Sequence, residues 1–328
     1  MVCNGPGELT TWVRPLAERL HQRALPSTSL QLVLVPCPNA TGTEADVARR
    51  MNLFDRVLPA SRFWWLLLRP QRHGPWPAAG VVVFLGGDQF WTVLLSARLG
   101  YRHLTYAEWV ARWPRWNDRI AAMGPAAADR LAKRWQPRCQ VVGDLMADLS
   151  SSARSSAPLP SGEWVALLPG SKRAKLQVGM PFLLRCAEAL RTLRPQTQFL
   201  LALAPTTTVA ELQAFAGPSN PLQRFYGTQE PELIEQDGQR WLVSSGGARI
   251  LLVEEHPAHG PLSQCALALT TVGANTAELG ALGVPMLVLL PTQHLHVMQA
   301  WDGWCGLVAR RPLLRWLVGV ALTAWRLR

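Results

Sequence analysis

The stretch Thr270–Pro285, with the sequence TTVGANTAELGALGVP, decides the fold. It continues an apolar run, Ala266–Thr270, and passes through small residues into a helical pattern. A strand that enters a helix through such a loop presents hydroxyl and backbone N–H groups at the helix N-terminus, where a phosphate is stabilised. We predict a pyrophosphate site here; without a ligand, the glycines serve packing and the acid is a favourable first-turn residue. The predicted binding residues are Gly273, Asn275 and Thr276 for the phosphates and Glu278 for ribose.

Apolar runs alternate with helical patterns along the chain, which is typical of βαβ units and a parallel sheet. Continuous Val, Leu and Ile runs indicate strands that are buried on both faces. Trp241–Val243 and Ile250–Val253 flank a Gly-Gly pair and are also compatible with a hairpin. The predicted strands are Leu30–Val35, Val81–Leu85, Gln140–Val142, Trp164–Leu168, Gln198–Leu203, Ile250–Val253, Ala266–Thr270 and Met286–Leu290. The predicted helices are Trp12–Arg23, Gln89–Leu99, Asn117–Trp135 and Val178–Arg194.

A change of composition divides the chain into two predicted domains. Residues 148–162, DLSSSARSSAPLPSG, hold too few apolar residues to pack and are typical of a linker. We therefore predict a first domain over residues 1–147 and a second over residues 163–328, each large enough to bury its own core. Only Met1–Cys3 precedes the first glycine turn, so we expect the first strand to continue upstream.

The 328-residue chain is strongly basic, because 33 Lys and Arg outnumber 22 Asp and Glu and give a net charge of +11. Such a surface attracts phosphates, anionic lipid headgroups or nucleic acid. No zinc-finger, RNP-type or basic-zipper pattern accompanies the charge, so we expect no nucleic acid and favour a phosphorylated substrate or an anionic membrane surface. The six cysteines show no short repeated spacing, which favours reduced thiols in a cytoplasmic protein over a disulfide or metal framework. No signal peptide or membrane-spanning stretch is visible.

A second loop with cations follows the predicted strand Trp164–Leu168. Its sequence, PGSKR over Pro169–Arg173, combines a glycine, a hydroxyl and two positive charges, which suits a diphosphate. It lacks the G-x-x-x-x-G-K-[ST] spacing of a Walker A loop. The residues expected to contact the donor are Gly170, Ser171 and Lys172, and the alternative is that the cations are solvated at a domain edge.

Two turns in the first half end in an acidic residue. Asn4–Glu8, NGPGE, joins the first strand to a helix that Thr10 or Thr11 is expected to cap. Its glycines, Gly5 and Gly7, allow a ligand to approach the backbone and are candidate acceptor-side residues, with Glu8 as a supporting carboxylate. Asp88 follows the strand Val81–Leu85, where a carboxylate is well placed to abstract a proton. Capping the next helix is its alternative role.

The stretch Arg62–Arg69, RFWWLLLR, places an apolar block between cations. Tryptophan beside arginine is typical of a headgroup boundary, where rings bury and cations meet anionic lipid. The segment Arg310–Arg328 has the same character. The residues expected to contact a membrane are Phe63, Trp64, Trp65 and Leu67, and a core helix is the alternative.

Several motifs resemble those of the lipid-A-disaccharide synthases and related GT-B glycosyltransferases. They follow one another along the chain as in that family and cover about residues 4–300. Thr271–Pro285 is similar to their donor-site motif, and Leu168–Lys172 to their Leu-Pro-Gly-Ser-Arg loop. Val142–Asp148 resembles the segment that closes their first domain. Asp88 falls where the family has an Asp proposed as the catalytic base, and Gly7-Glu8 falls on its early Ser-Gly-Asp.

The resemblance implies an α/β fold of the GT-B type, in which two Rossmann-like, doubly wound parallel-sheet domains face a central cleft and the second binds the donor. It implies an enzyme that transfers an acylated glucosamine, with inversion, from a UDP-sugar to a lipid-linked sugar phosphate. It also implies that the reaction needs no cofactor or metal and takes place on the cytoplasmic face of the inner membrane. The oligomeric state stays open.

Departures from the family pattern keep two other functions open. Lys172 stands where the family has an Arg with bidentate geometry. Ala174 and Lys175 replace an acidic residue, and the family's closing segment does not follow Arg328. The alternatives are a non-catalytic, membrane-associated relative and a UDP-sugar epimerase on the same fold.

Overall fold

Two seven-stranded sheets carry the fold. The computed structural model describes residues 1–23, 28–37, 40, 42–147 and 158–291. The chain divides into two compact units between Leu145 and Met146, and each unit contains one sheet. The predicted linker, residues 148–162, lies largely outside the described residues, so its bounds stay a prediction.

The first sheet is wholly parallel, with the order β3-β2-β1-β4-β5-β6-β7. Its short first strand lies at the centre, because Val2 pairs with Val33 on one side and with Phe84 on the other. The order reverses between β1 and β4, and loops beyond the carboxyl ends of strands leave a crevice at such a point. The strands are β1 (Val2–Cys3), β2 (Gln31–Leu34), β3 (Arg56–Leu58), β4 (Val81–Phe84), β5 (Arg102–Ala107), β6 (Arg119–Ala122) and β7 (Cys139–Val141).

Five strands of the second sheet, β12-β9-β8-β13-β14, repeat the order of the first five strands of the first sheet, and the antiparallel hairpin β10–β11 extends one edge, as β10-β11-β12-β9-β8-β13-β14. Its reversal lies between β8 and β13, where Leu168 pairs with Thr270. The alternative of a hairpin between Trp241–Val243 and Ile250–Val253 is confirmed, because β11 and β12 pair antiparallel, with Val243 opposite Arg249. The strands are β8 (Trp164–Leu168), β9 (Gln198–Ala202), β10 (Glu232–Gln236), β11 (Gln239–Val243), β12 (Arg249–Val253), β13 (Leu267–Thr271) and β14 (Met286–Leu289).

Helices connect the strands, and the first of them contains an irregular turn. A helix that starts at Pro6 passes through a π-helical turn, Leu9–Val13, before it continues to Arg23. The α-helices are α1 (Pro6–Glu8), α2 (Arg14–Arg23), α3 (Glu44–Arg50), α4 (Phe63–Leu68), α5 (Gln89–Leu99), α6 (Pro125–Asp129), α7 (Arg173–Leu193), α8 (Val209–Ala216), α9 (Leu222–Tyr226), α10 (His259–Ser263) and α11 (Ala274–Leu282). The 3₁₀ turns are Ala60–Arg62, Pro70–His73, Pro114–Trp116 and Lys133–Arg138.

Alternate residues of the central strands enter two separate cores. In β8, Val165 and Leu167 pack with α7 and α8, whereas Trp164, Ala166 and Leu168 pack with α10 and α11. This burial on both faces explains why the strand is a continuous apolar run in the sequence. The prediction of two doubly wound α/β units is confirmed; the first sheet is parallel throughout, and the second is parallel except for β11.

Two local predictions are wrong. The predicted helix Asn117–Trp135 is instead strand β6, helix α6 and a 3₁₀ turn, because Ile120 and Ala122 bury their side chains in the sheet and pairing outweighs helix propensity. Thr10 and Thr11 do not cap the first helix. That helix starts earlier, with Gly5 as its N-cap and proline in its first turn, where a missing N–H costs nothing.

Replacing Gly179 with alanine should destabilise the second unit, whereas the same change at Gly280 should stabilise it. A β-carbon on Gly179 would lie 2.6 Å from the Pro169 carbonyl oxygen, and overpacking costs about 1–3 kcal/mol. On Gly280 the nearest atom outside its own helix backbone is Met286 Cε at 4.0 Å; alanine within a helix gains roughly 0.5–1 kcal/mol over glycine. Urea unfolding of the full chain measures both free energies, and equal effects would contradict this packing.

Candidate functional site

In the second unit, two loops leave the sheet side by side at the reversal between β8 and β13. The buried hydroxyl of Thr271, at the end of β13, donates a hydrogen bond to the carbonyl oxygen of Pro169, at 3.2 Å, and ties the loops together. Gly170 has a φ of +105°, which favours glycine, and a β-carbon there would lie 3.0 Å from the β-carbon of Lys175. The two predicted donor loops therefore lie next to each other.

Lys175 joins these loops and was not among the predicted donor residues. It lies in the first turn of α7, and its Nζ donates a hydrogen bond to the carbonyl oxygen of Val272. A β-carbon on Gly273 would lie 3.1 Å from this ammonium. The only signal in the sequence was a third cation shortly after Lys172, which itself is the N-cap residue of α7. The structure thus places a positive charge beside the glycine that opens α11.

The loop before α11 has the geometry expected of an anion-binding helix start. Gly273 is the N-cap of this nine-residue helix, so the backbone N–H groups of its first turn lie at the loop. The hydroxyl of Thr276 donates to the carbonyl oxygen of Gly273 at 2.8 Å. Ser171 and Asn275 are half-buried in the same pair of loops. Together with the ammonium, the helix dipole makes this position favourable for a phosphate.

Glu278 has a partner that sequence reasoning missed. His259, at the start of α10, places Nε2 at 2.9 Å from Glu278 Oε1. The His259 side chain is only 7% exposed, whereas that of Glu278 is 21% exposed. One carboxylate oxygen of Glu278 is therefore fixed from inside the protein, while the residue stays accessible at the second turn of α11. No sequence pattern links the two residues, because they come from different βα connections.

In the first unit, a pocket of about 250 Å³ opens beyond the carboxyl ends of β4 and β5. Glu8 lines this pocket, but Asp88 does not. Asp88 is the N-cap of α5, and its Oδ1 accepts a hydrogen bond from the Phe90 backbone N–H at 3.0 Å. The capping role considered for Asp88 is thus present, and it is compatible with a second role for the carboxylate. The pocket is lined by Glu8, Trp12, Phe84, Leu85, Gly86, Gly87, Gln89, Tyr106, Glu108, Trp109, Val110 and Arg112.

Glycines at the same strand ends allow polar side chains to come close. A β-carbon on Gly86 would lie 2.9 Å from Glu8 Cγ, and one on Gly87, whose φ is +97°, would lie 2.9 Å from Asn4 Cγ. Gly5 serves as the N-cap of α1, and the carbonyl oxygen of Gly7 accepts hydrogen bonds from Thr10 and Thr11. In this unit, burial raises the pKa of Tyr106, so its hydroxyl stays protonated at neutral pH.

The predicted membrane-contact residues divide between core and surface. Phe63 is 1% exposed and packs in a core of the first unit, so its assignment to a membrane surface is wrong. Leu67 is partly buried against the same core. Trp64 and Trp65 are 46% and 60% exposed, as expected of a surface contact. The reason is the helical period of α4, which turns one side to the sheet and the other to solvent.

Neither a metal cluster nor a membrane-crossing helix was found within the described residues. There, no three His, Cys, Asp or Glu side chains lie close enough to hold a metal ion. None of the helices there is long and apolar enough to cross a bilayer. Burial raises the pKa of the Cys265 thiol to about 12, which makes it inert at neutral pH.

Comparison with solved structures defines the fold class. An MnaA–UDP complex of S. aureus matches with a TM-score of 0.56 at 14% identity, over 89% of this chain and 79% of that one. A Neisseria meningitidis UDP-GlcNAc 2-epimerase bound to UDP-GlcNAc matches with a TM-score of 0.52 at 12% identity, over 96% and 92% of the two chains. The chain has the two-domain, Rossmann-like α/β architecture of the GT-B fold.

Sequence comparison shows which proteins the chain is related to. No protein-family model matches the chain. A lipid-A-disaccharide synthase of Alteromonas mediterranea is 31% identical over 122 residues, which are 33% of this chain and 31% of that protein. One of Geobacter metallireducens is 24% identical over 224 residues, which are 64% of this chain and 51% of that protein. The chain therefore matches about a third to about half of the length of these curated relatives. It is a divergent relative of the lipid-A-disaccharide synthases.

Proposed function

We propose that the protein is a glycosyltransferase that uses a UDP-sugar donor. The observation that carries this proposal is the junction of the two donor loops, where the Lys175 ammonium meets the N-terminus of α11. A cation and a helix N-terminus at one point suit the diphosphate of a nucleotide-sugar, both when it binds and when it leaves. Glu278, held by His259, is placed on the same helix to accept hydrogen bonds from ribose hydroxyls.

The proposed reaction follows the family and inverts the sugar. The attacking hydroxyl of an acylated sugar phosphate loses its proton to a carboxylate, while the diphosphate leaves as UDP. Asp88 is the proposed base, with Glu8 in support, because both follow neighbouring strands at the reversal of the first sheet. Gly170, Ser171, Lys172, Gly273, Asn275 and Thr276 are the proposed diphosphate contacts. We propose no cofactor and no metal, as the resemblance to the family implies, and assign stabilisation of the leaving group to the ammonium groups of Lys172 and Lys175 and to the start of α11.

An anionic membrane surface is the proposed site of action, because an acylated acceptor resides in a bilayer. Trp64, Trp65 and Leu68 of α4 are all exposed, the last by 65%. A series of ring contacts at 5.1–5.7 Å extends this patch over the surface of the first unit. The exposed side chains of this patch are Trp64, Trp65, Leu68, Phe90, Trp113 and Trp116.

Calorimetric titration with UDP tests the donor site. We expect the wild-type chain to bind UDP and Lys175→Ala to bind about ten-fold more weakly or worse, because a charge-assisted hydrogen bond contributes roughly 1.5–3 kcal/mol. Arg173→Ala is the matched control. Arg173 lies in the same helical turn, but it pairs with Glu211 at 2.7 Å and should not affect UDP. No heat with the wild-type chain would favour the non-catalytic relative.

The pairing of His259 with Glu278 predicts coupled effects on UDP affinity. We expect His259→Gln and Glu278→Gln each to weaken binding, and the double variant to be little worse than either alone. Residues that act through one contact couple by about 0.5–3 kcal/mol. Calorimetry on the four proteins of the double-mutant cycle measures this energy. Strictly additive losses would show that the 2.9 Å contact does not serve the ribose site.

Asp88→Asn should abolish sugar transfer without loss of stability. The amide oxygen of asparagine still accepts the Phe90 N–H, so the helix cap survives. The lost base should lower turnover by roughly 10²–10⁴-fold. UDP release from an acylated UDP-glucosamine, in the presence of an acylated glucosamine phosphate, measures the rate. Full activity of the variant would remove Asp88 from this role. A new UDP-sugar formed without any acceptor would instead indicate an epimerase.

Replacing Trp64 and Trp65 with serine should weaken binding to anionic vesicles without unfolding the chain. The exposed rings are expected to bury in the headgroup region, where each Å² of apolar area removed from water contributes about 25 cal/mol to binding. The serine variant lacks this contribution. Sedimentation with phosphatidylglycerol vesicles, compared with phosphatidylcholine vesicles, measures binding. Leu193→Ser is the control, because Leu193 is 78% exposed in the second unit. Equal losses in the two variants would argue against a local contact surface.

A further inference from the structure

A polar cavity of about 400 Å³ lies in the second unit, at the edge of the sheet opposite the donor loops. Gln198 and Arg249, the first residues of β9 and β12, both line it. Since β8, β9, β12 and β13 run parallel, their amino ends meet at one edge, and the donor loops leave β8 and β13 at the other. The volume falls within the range of about 300–1,000 Å³ that ligand pockets have. The cavity is therefore separate from the donor site.

Two arginines bring positive charge to this cavity. Arg249 donates a hydrogen bond to Gln236 Oε1 at 2.5 Å, and its guanidinium lies 5.0 Å from the centre of the Trp241 ring. Arg191, in the last turn of α7, also lines the cavity. Its guanidinium carbon lies 3.4 Å from the position of a β-carbon on Gly247, so it rests on the turn that precedes β12. The two guanidinium groups thus approach the cavity from different elements.

The charge of these two arginines is not neutralised by the protein. Neighbouring arginines are paired, because Arg194 binds Glu163 at 2.6 Å and Arg240 binds Glu254 at 2.8 Å. The arginines of the cavity, by contrast, pair with no carboxylate in the described part of the chain. Among the described residues that line the cavity, Asp237 alone is acidic, and it lies exposed in the hairpin turn. Two cations against one carboxylate favour an anionic ligand.

The hairpin fixes one of the two cations in advance. Asp237 and Gly238, with φ of +54° and +72°, form the two-residue turn that joins β10 to β11. A turn with positive φ at both central residues matches the twist of a hairpin and keeps its strands in register. Gln236 and Trp241, which lie on either side of this turn, both contact Arg249. A guanidinium that is already held costs less entropy when a ligand binds.

Uncharged amides complete the lining of the cavity. The side chains of Gln196 and Gln239 have no hydrogen-bond partner within the residues that the structure describes. A side-chain amide both donates to and accepts from a hydroxyl group. The cavity thus combines cations for an anionic group with amides for hydroxyl groups.

We propose that this cavity binds a phosphate monoester that also carries hydroxyl groups, with Arg191 and Arg249 on the phosphate and the amides on the hydroxyls. A guanidinium presents paired N–H groups to two phosphate oxygens, and such charge-assisted hydrogen bonds are strong. Two guanidinium groups match the two negative charges that a phosphate monoester has above its second pKa of about 6. A carboxylate has only one charge. The inference goes beyond the proposed function, because it concerns a second ligand at the other edge of the sheet.

Calorimetric titration of the full chain with glucose 6-phosphate tests this proposal. We expect the wild-type chain to bind this probe, and Arg191→Gln and Arg249→Gln each to bind it about ten-fold more weakly. Binding should weaken below about pH 6, because the phosphate loses one charge while arginine keeps its own. Arg240→Gln is the matched control, since Arg240 belongs to the same hairpin but pairs with Glu254 and does not line the cavity. Its affinity should equal that of the wild type.

Lys175→Ala separates this cavity from the donor loops, and it should bind the probe as the wild type does. The proposal is overturned if the folded wild-type chain does not bind the probe, or if Arg191→Gln binds it unchanged. It is also overturned if Arg240→Gln loses as much affinity, which would indicate a general effect of charge. Loss of binding in Lys175→Ala alone would place the phosphate at the donor loops and overturn it as well. Should Arg249→Gln fail to fold, Arg191→Gln, at an exposed position of α7, carries the test.

Discussion

The parallel pairing of β8 with β13 is the constraint on which the donor-side loops depend. Leu168 pairs with Thr270, so both strands leave the sheet at the same level and their loops begin side by side. Lys175 reaches the carbonyl oxygen of Val272 across 97 residues of sequence only because of this register. A slip of one residue would turn Leu168 and Thr270 to the opposite cores and separate the loops. The anion-binding geometry is therefore a consequence of strand register, which the two apolar cores enforce.

Close approach of backbone to backbone supports this register. Helix α7 passes over the loop after β8 at Gly179, where no side chain fits against Pro169. The buried hydroxyl of Thr271 closes the other side by bonding to the same carbonyl oxygen. Thr271 is 1% exposed, so water does not compete for this bond. The carbonyl oxygen of Pro169 thus fixes both the helix that carries Lys175 and the strand that leads to α11.

Elements with strong local signals could be predicted from the sequence. β8 was predicted with the bounds found in the structure, because a strand buried on both faces is a continuous apolar run. The helix Gln89–Leu99 was also predicted with these bounds, because Asp88 caps it and Gly100, with a φ of +69°, ends it. The region Asn117–Trp135 was predicted wrongly. Its alanines favour a helix locally, and only pairing with β5 and β7 makes the first part a strand.

The site was predictable only where a residue belongs to a motif of its own segment. Gly170 and Gly273 lie in loops whose small residues follow an apolar strand, and Glu278 lies in the helix that one of these loops opens. The structure places the two loops next to each other. Lys175, His259 and Glu108 could not be found in that way. Each acquires its position from a partner in another βα connection: Val272, Glu278 and the pocket wall of Glu8, respectively. Tertiary contacts, rather than local sequence, assign such residues to a site.

The two units share one backbone arrangement but place side chains of opposite charge at the ends of their strands. In each sheet the strand order reverses beside the first strand of the unit, and polar loops gather beyond that reversal. In the second unit the gathered groups are an ammonium and a helix start, which favour an anion. In the first unit they include the carboxylates of Glu8 and Glu108, which disfavour one. Because the backbone arrangement is the same, the side chains at the strand ends set the charge that each unit presents there.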